Sequence, residues 1–235
     1  MQDVKTGTKK KFSYRRTMMR SFISIIAIGV AIFVLAGRLD YWQGWLFFST
    51  LLIFMTGFGV FFTKKQELMQ ERVRPGPGVK WWDKIFLAIH VPLSLSVSLL
   101  AALDAGRFHW SPQLPIVLYP VMFVLILTSS CIIYWAMWTN NFFSSGVRIQ
   151  TDRGHYVITE GPYHYVRHPG YVGIIIFMPA LALLLGSIYA LIPVAIDIFL
   201  LIIRTYLEDL TLKKELPGYT DYAKQVRFRL IPCIW

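Results

Sequence analysis

The 235-residue chain is too apolar for an ordinary soluble domain, because 55% of its residues are hydrophobic and its mean hydropathy is +0.51. Its formal net charge of +11 is better explained by the cytosolic surface of a membrane than by nucleic acid, since no basic and aromatic groove stands apart from the apolar segments. Two cysteines, Cys131 and Cys233, form neither a disulfide framework nor a zinc ligand set. The composition therefore predicts an integral membrane protein that contacts lipids and binds no nucleic acid.

The N-terminal third begins with a basic arm, residues 1–20, which we expect in the cytosol near anionic lipid. Residues 22–37 are a short apolar run that could be a first membrane helix or the core of a signal peptide. We favour the helix, because the arm before the run is long and no small-x-small cleavage site follows it. Residues 42–62 predict a second helix, which is free of charge and begins with the aromatic residues typical of a membrane interface.

The middle of the chain predicts a basic loop and a third span. Residues 63–84 contain a Pro-Gly-Pro-Gly run that cannot stay helical, so we expect a loop there. Residues 85–103 are apolar but interrupted by His90 and Pro92. A histidine beside a proline in a membrane helix can bind a ligand, but more often it satisfies the backbone that the kink sets free, and we favour that role.

The C-terminal half predicts a fourth span and a hairpin. Residues 114–138 form the span, and residues 171–203 are a run of 33 with Gly186-Ser187 near the middle. Each arm of this run would be about 22–26 Å long, slightly short of a membrane core of roughly 30 Å. A tight helical hairpin starts and ends on the same side, which brings Tyr171 and Arg204 close together. The fold class is thus an all-α integral membrane protein with about four transmembrane helices, a C-terminal helical hairpin, and a cytosolic loop and tail.

The distribution of basic residues predicts the orientation. With a cytosolic N-terminus, all lysines and arginines except Arg38 and Arg107 lie on the inside. This distribution obeys the positive-inside rule, whereas the opposite orientation would put nearly all the cations on the far side. The sequence therefore predicts that the loop before the hairpin and the C-terminal tail share the cytosolic side.

The reactive side chains concentrate in residues 161–171, Gly-Pro-Tyr-His-Tyr-Val-Arg-His-Pro-Gly-Tyr. Proline disfavours helical geometry in the residue before it, so His168 should be extended and Pro169 should begin a helix. The first amides of that helix have no internal partners and lie at the positive end of its dipole. We therefore expect this corner to hold a carboxylate or phosphate.

Acidic and basic groups follow the hairpin. Arg204 and Glu208 are four residues apart on one helix face, where they could form a solvated ion pair or part of a functional site. Asp197 shares that face but lies deeper in the apolar arm. A role in a substrate cavity, protonation, or a partner on a neighbouring helix would each explain an acid at that depth.

Three reaction classes can be compared. A metal hydrolase would use His155, His164 and His168 as ligands, but Pro169 breaks the helix that could align the last two, and no HExxH spacing is present. A serine or cysteine nucleophile lacks an elbow motif. Group transfer from a cofactor remains, in which aromatic, polar and acidic groups bind a nucleoside and the helix start binds the anionic end of the cofactor.

A family resemblance rests on four motifs in residues 150–235. They are Gly161-x-Tyr163-x-x-x-Arg167-His168-Pro169-x-Tyr171, Arg204-x-x-x-Glu208-Asp209, Tyr219-x-x-Tyr222 and Ile231-Pro232. In this order and spacing they resemble the isoprenylcysteine carboxyl methyltransferase family. The arginine-histidine-proline block alone is moderately specific, and its combination with the acidic pair and the double tyrosine makes the resemblance strong.

The resemblance implies an S-adenosylmethionine-dependent methyltransferase that takes its cofactor from the cytosol and a lipophilic or lipidated acceptor from the bilayer. It implies carboxyl O-methylation without a metal, and it places catalysis and acceptor binding on Arg204. The cofactor contacts that it implies are Gln150, His155, Tyr156, Val157, Ile158, Tyr163, His168, Pro169, Gly170, Tyr171 and Glu208. Residues 1–138 would then be the N-terminal basic arm with transmembrane helices, and residues 139–235 the methyltransferase core.

The chain also departs from the family pattern. Glu215-Leu216 stand where members commonly carry Phe-Gly before the double tyrosine, and Asp209 replaces a usual glutamate. These changes bear on the identity of the acceptor more than on that of the cofactor. Other acceptors and cofactors therefore stay open, namely a phospholipid, a small thiol, or the sterol substrate of a nicotinamide-dependent reductase in the same broad superfamily. A non-enzymatic membrane scaffold or transporter also stays open.

Overall fold

The computed structural model describes residues 12–232 and 234–235. Eight α-helices occur in this part of the chain: α1 Tyr14–Ala36, α2 Trp42–Thr63, α3 Gln66–Val73, α4 Trp81–Ala101, α5 Leu118–Thr139, α6 Pro169–Leu184, α7 Leu191–Glu215 and α8 Tyr219–Gln225. A π-helix, Ala102–Phe108, continues α4, and two short 3-10 helices, Thr151–Arg153 and Gly161–His164, lie between α5 and α6. The described residues contain no strand, so the all-α prediction is confirmed. Residues 1–11 of the basic arm and Cys233 lie outside the described part.

Four helices are long and apolar enough to cross a membrane: α1, α2, α4 with its π-helical extension, and α5. The first begins well before the predicted run at residue 22, because Ser13 caps it by accepting a hydrogen bond from the Arg16 N–H at 3.4 Å. It ends at Gly37, whose φ of 68° suits glycine. Its 23 residues span about 35 Å, enough to cross the hydrocarbon core.

Two predictions for the middle of the chain are wrong. Residues 63–84 are not simply a loop, because α3 forms there and buries Leu68 and Met69 against α2 and α5. Pro92 lies inside α4 without ending it. His90 does not serve the backbone there: its Nδ1 lies 2.7 Å from Asp197 Oδ1 on α7. Asp197 therefore has a partner on a neighbouring helix, His90, which is one of the three explanations that the sequence leaves open for this acid.

The C-terminal hairpin is confirmed. Helices α6 and α7 are joined by a short turn at Gly186, whose φ of 80° is one that side chains rarely adopt. The hairpin packs so closely against α5 that a Cβ added to Gly173 would lie only 2.9 Å from the Ser129 carbonyl oxygen. Tyr171 and Arg204 meet as predicted, with the guanidinium carbon 5.4 Å from the ring centre.

Ion pairs bring the basic segments after α2, before α6 and after the hairpin to one end of the bundle. The pairs that join them are Lys80–Glu215 at 2.7 Å, Arg148–Glu71 at 2.8 Å and Arg204–Asp83 at 2.8 Å. At the opposite end of the bundle, Arg38 Nη1 lies 3.4 Å from His109 Nε2. The described basic segments therefore share one end of the bundle, and Arg38 lies at the other.

Candidate active site

A cavity of about 290 Å³ opens at the basic end, between α3, α4, α6, α7 and the loop that follows α5. This volume is at the lower end of the range of small-molecule sites. Its walls are Arg72, Leu87, His90, Phe143, Ser144, Ser145, Tyr163, Arg167, His168, Pro169, Gly170, Tyr171, Ile174 and Arg204. Apolar and charged groups thus face one another in a single space.

The start of α6 forms one wall of the cavity. His168 is the residue before the helix, with φ of −126°, and Pro169 is its first residue, as the sequence predicts. His168 Nε2 is buried and has no hydrogen-bond partner among the residues that the structure describes, because Asp209 Oδ1 is 3.7 Å away. A buried, unpartnered nitrogen at a helix start is a site that a polar ligand would complete.

Tyr171 connects the two arms of the hairpin. Its ring stacks parallel to His168 at 5.6 Å, and its hydroxyl donates a hydrogen bond to Glu208. The guanidinium of Arg204 covers the same ring. Glu208 therefore reaches the cavity through Tyr171, and the ion pair with Arg204, one of the two possibilities for these residues, does not form.

Arg204 binds Asp83 instead. Its Nε donates to Asp83 Oδ1 at 2.8 Å, and its Nη2 donates to the Ser145 carbonyl oxygen at 2.7 Å. The ring centre of Phe86, a residue of α4, lies 4.7 Å from the guanidinium carbon of Arg204. Within residues 12–232 and 234–235, no acceptor is hydrogen-bonded to Nη1. One edge of the guanidinium is thus held in place while the group itself lines the cavity.

Arg167 and Asp209 hold the C-terminal tail under the site. Asp209 is fully buried and accepts hydrogen bonds from Arg167 at 2.6 and 3.0 Å, from Arg229 at 3.1 Å and from Tyr219 at 3.1 Å. The backbone N–H of His168 donates to the Arg229 carbonyl oxygen at 3.0 Å. Arg167 lines the cavity, but its donors are used within the protein, so it positions the His168 corner.

The segment from Gln150 to Ile158 lies outside the wall of the cavity. Gln150 is buried and its amide binds the Phe142 carbonyl oxygen at 2.7 Å, while its backbone N–H donates to His155 Nδ1 at 3.3 Å. Burial and the positive charges of Arg148 and Arg153 lower the pKa of His155 to about 4, so this acceptor nitrogen is free of a proton at neutral pH.

Three further residues of this segment are placed around the cavity rather than in it. Tyr156 is exposed and its ring meets Phe142 edge to face at 5.2 Å. Val157 and Ile158 pack into the apolar cluster that contains Tyr163. Of the cofactor contacts implied by resemblance, the structure gathers Tyr163 and the residues from His168 to Tyr171 in the cavity with Arg204, and it places Glu208 behind Tyr171.

The comparison with known proteins identifies this region. Residues 121–214 match the model of the isoprenylcysteine carboxyl methyltransferase (ICMT) family. This segment is therefore similar to the ICMT family, in agreement with the motifs found in the sequence. The segment runs from α5 almost to the end of α7 and contains the His168 corner and Arg204. No curated protein matches the chain. The match supports a methyltransferase, and the four apolar helices support an integral membrane protein.

Sequence patterns alone did not point to several residues of the candidate site. Arg72 on α3 lines the cavity with its guanidinium 5.1 Å from the Phe143 ring centre. Burial and the charge of Arg204 lower the pKa of Arg72 to about 10, so it stays protonated at pH 7. Asp83 was also missed, although an acid one turn into an apolar helix signals a partner. The charges of residues 66–73 match the dipole of a short helix, because Glu67 lies in its first turn and Arg72 in its last turn.

Gly170→Ala tests the cavity wall. A Cβ at this position would lie 2.6 Å from two ring atoms of Phe143, which must then move within the cavity. Overpacking of this kind costs about 1–3 kcal/mol, so we expect S-adenosylhomocysteine to bind about tenfold more weakly by isothermal titration. Gly57→Ala is the control, because nothing lies within 4 Å of the added carbon. Equal affinity in both variants would exclude Phe143 and Gly170 from the binding site.

Proposed function

We propose that this protein transfers a methyl group from S-adenosylmethionine to the carboxylate of a lipophilic acceptor of the isoprenylcysteine type. The observation that carries the proposal is the cavity itself. It is lined by His168, whose buried Nε2 has no hydrogen-bond partner among the described residues, and by Arg204. A polar ligand and a carboxylate could therefore lie side by side in it.

The residues at the start of α6 fit the cofactor. The N–H of Gly170 and the positive end of the helix dipole favour the methionine carboxylate, and His168 Nε2 supplies a further polar contact. Tyr163 suits adenine or a sulfonium cation, and Glu208 would act on the cofactor by holding Tyr171 in the cavity wall. When bound, S-adenosylmethionine supplies an already activated methyl group.

Two cations fit the acceptor. Arg204 can bind a carboxylate with Nη1 while Asp83 and Ser145 hold the rest of the group. Arg72 adds a second positive charge, and Leu87 and Ile174 provide an apolar wall for a lipid chain. Asp83 also neutralises part of the positive charge of Arg204, so the arginine can orient the acceptor oxygen without fully neutralising the negative charge of that oxygen.

The work of the protein in this reaction is alignment and the exclusion of water. Arg204 is kept in one position by Asp83, and Tyr171 by Glu208 and His168, so both partners would meet preformed walls. Alignment of two reactants can contribute up to about 7–11 kcal/mol to catalysis. No metal is required for such a transfer.

We also propose that the N-terminus and the cavity face the cytosol. The described basic segments share the cavity end of the bundle, where the positive-inside rule and anionic lipid headgroups favour them. The cofactor would then enter from the cytosol and the acceptor from the bilayer. Protection of an introduced Cys at position 164 from an impermeant thiol reagent added outside intact cells tests this orientation, and labelling there would contradict it.

The cofactor contacts can be tested by substitution. His168→Ala and Glu208→Ala are each expected to weaken S-adenosylhomocysteine binding at least tenfold, since hydrogen bonds to charged groups contribute about 1.5–3 kcal/mol. Isothermal titration in detergent measures the affinity. His164→Ala and Glu160→Ala change the same residue types at exposed positions and should bind normally. Unchanged binding in the first two variants would remove these residues from the proposed site.

The activity itself requires a direct assay. The purified protein is incubated with methyl-labelled S-adenosylmethionine and three sets of lipophilic acceptors that carry a carboxyl, an amine or a thiol. We expect incorporation into the carboxyl set, as a base-labile ester. Incorporation only into amines or thiols would replace the proposed acceptor, and failure to bind S-adenosylmethionine would overturn the proposed methyl transfer.

A further inference from the structure

A buried polar cluster lies in the membrane-embedded part of the cavity, away from the cofactor corner. His90 lines the cavity and its Nδ1 is 2.7 Å from Asp197 Oδ1, while Ser94 Oγ donates to Asp197 Oδ2 at 3.1 Å. Asp197 is 2% exposed. The roles proposed above for His168, Tyr171, Glu208 and Arg204 leave this cluster without a function.

The cluster lies deeper than Arg204 on the same pair of helices. Arg204 and Asp197 are seven residues apart on α7, which corresponds to about 10 Å along the helix. Asp83 and His90 are also seven apart on α4, and each binds one of those two residues. The interface of α4 and α7 therefore carries two polar layers, an arginine layer at the basic end and a histidine layer closer to the bilayer centre.

The hydrogen bonds define what His90 can do. A carboxylate only accepts, so in the tautomer that hydrogen-bonds to Asp197 the Nδ1 would carry the proton and Nε2 would keep its lone pair. Ser94 satisfies the second carboxylate oxygen, and Phe86 stacks on the imidazole at 5.0 Å and 15°. The ring is thus held in one orientation with a proton-accepting nitrogen available, an arrangement in which the carboxylate stabilises the imidazolium that proton transfer would form.

A carboxylic acid that arrives from the bilayer needs such a group. Apolar surroundings disfavour the charged form, so a lipophilic acid enters the cavity neutral, whereas only its carboxylate is an effective nucleophile. We propose that His90, held by Asp197, is the proton acceptor that ionises the lipophilic acid as it leaves the bilayer. This inference rests on the proposed methyl transfer to a carboxyl group.

The proton transfer balances without any further reactant. The O–H bond of the acid breaks, its electron pair stays on the carboxylate oxygen, and the proton binds His90 Nε2. The imidazolium is then paired with Asp197, and the new carboxylate is attracted to Arg204. The proton returns to solvent after the product leaves. The other titratable or charged groups that face this cavity are Arg72 on α3, Tyr163 in the 3-10 helix Gly161–His164, Arg167 and His168 before α6, and Tyr171 on α6.

The decisive experiment measures the ionisation of the bound acceptor instead of turnover. N-acetyl-S-farnesylcysteine labelled with ¹³C at its carboxyl is bound to the S-adenosylhomocysteine complex in detergent at pH 6, and infrared difference spectroscopy distinguishes acid from carboxylate. We expect the wild type to hold the carboxylate. His90→Gln and Asp197→Asn should hold the neutral acid, and His164→Gln, a matched change at an exposed histidine, should behave as the wild type.

A pH profile of methyl incorporation gives the second readout. General-base catalysis contributes about 10²–10⁴-fold, so His90→Gln should be at least about 100-fold slower at pH 6 and approach the wild-type rate at alkaline pH, where the acid ionises unaided. Equal ionisation of the bound acid in wild type and His90→Gln, or an equal loss of rate at every pH, would overturn the role of His90 and leave a structural pair. Failure of the wild type to bind S-adenosylhomocysteine or the acid would instead overturn the proposed function and this inference with it.

Discussion

Asp209→Ala is expected to destabilise the protein by about 3–5 kcal/mol and to abolish cofactor binding. The fully buried carboxylate is shared by Arg167, Arg229 and Lys213, the last at 3.2 Å, and its removal leaves buried cations without their counter-ion. The His168 corner would then lose its support from the tail. SDS-induced unfolding in mixed micelles measures the stability, and titration with S-adenosylhomocysteine measures the binding.

Asp221→Ala is the matched control for this loss. Asp221 also pairs with a basic side chain, Lys224 at 2.8 Å, but both groups are more than 70% exposed. Ion pairs between exposed side chains add little to stability, so this variant should unfold and bind as the wild type does. If both aspartate variants were equally stable, the buried network would not hold the tail, and the placement of the His168 corner would need another explanation.

Arg204→Lys is expected to reduce turnover by about 10²–10³-fold while the affinity for S-adenosylhomocysteine changes less than about threefold. Lysine keeps a positive charge beside the buried Asp83, so the fold is maintained better than with alanine. It lacks the planar fork whose Nη1 would orient the acceptor carboxylate. Losses of this size follow the removal of a single aligned donor in other enzymes.

Steady-state kinetics and titration of the same preparation separate the two effects. Arg227→Lys makes the same change at an exposed position of the tail and should leave both quantities unchanged. A loss of affinity as large as the loss of turnover would place Arg204 in the cofactor site. Unchanged turnover would remove it from the acceptor site.

Much of the fold follows from local sequence patterns. The apolar run before Arg204, in which Asp197 is the one charged residue, and the Gly186-Ser187 break predict the hairpin, and the hairpin brings Tyr171 to Arg204. His168 takes its position because proline constrains the residue before it. These features depend on neighbours within the chain, so a single sequence is enough to derive them.

The partners of the charged residues could not be derived in the same way. Asp83 and Arg204 are 121 positions apart, and His90 and Asp197 are 107 apart. Their pairing depends on the register in which α4 packs on α7, which no local pattern specifies. An Arg204–Glu208 pair, one of two possibilities in the sequence, satisfies the spacing of a helix face, but Asp83 on α4 binds the arginine instead.

The candidate site was predictable to the extent that it lies on the hairpin. Arg72 and Phe143 line the cavity from elements whose distance to α6 is set by tertiary packing. The position of the Gln150 segment is likewise set by Arg148, which binds Glu71 on α3 through two hydrogen bonds of 2.8 and 3.0 Å. The contact of the Gln150 segment with the cofactor stays a prediction. The division of the chain between residues 138 and 139 also stays a prediction.

A structure of the protein with bound S-adenosylhomocysteine would decide whether this cavity is the cofactor site. We expect the ligand to occupy the cavity at the basic end, in contact with His168, Gly170 and Tyr171 and on the same side of Tyr171 as Arg204. A ligand bound elsewhere, with this cavity filled by lipid alone, would contradict it.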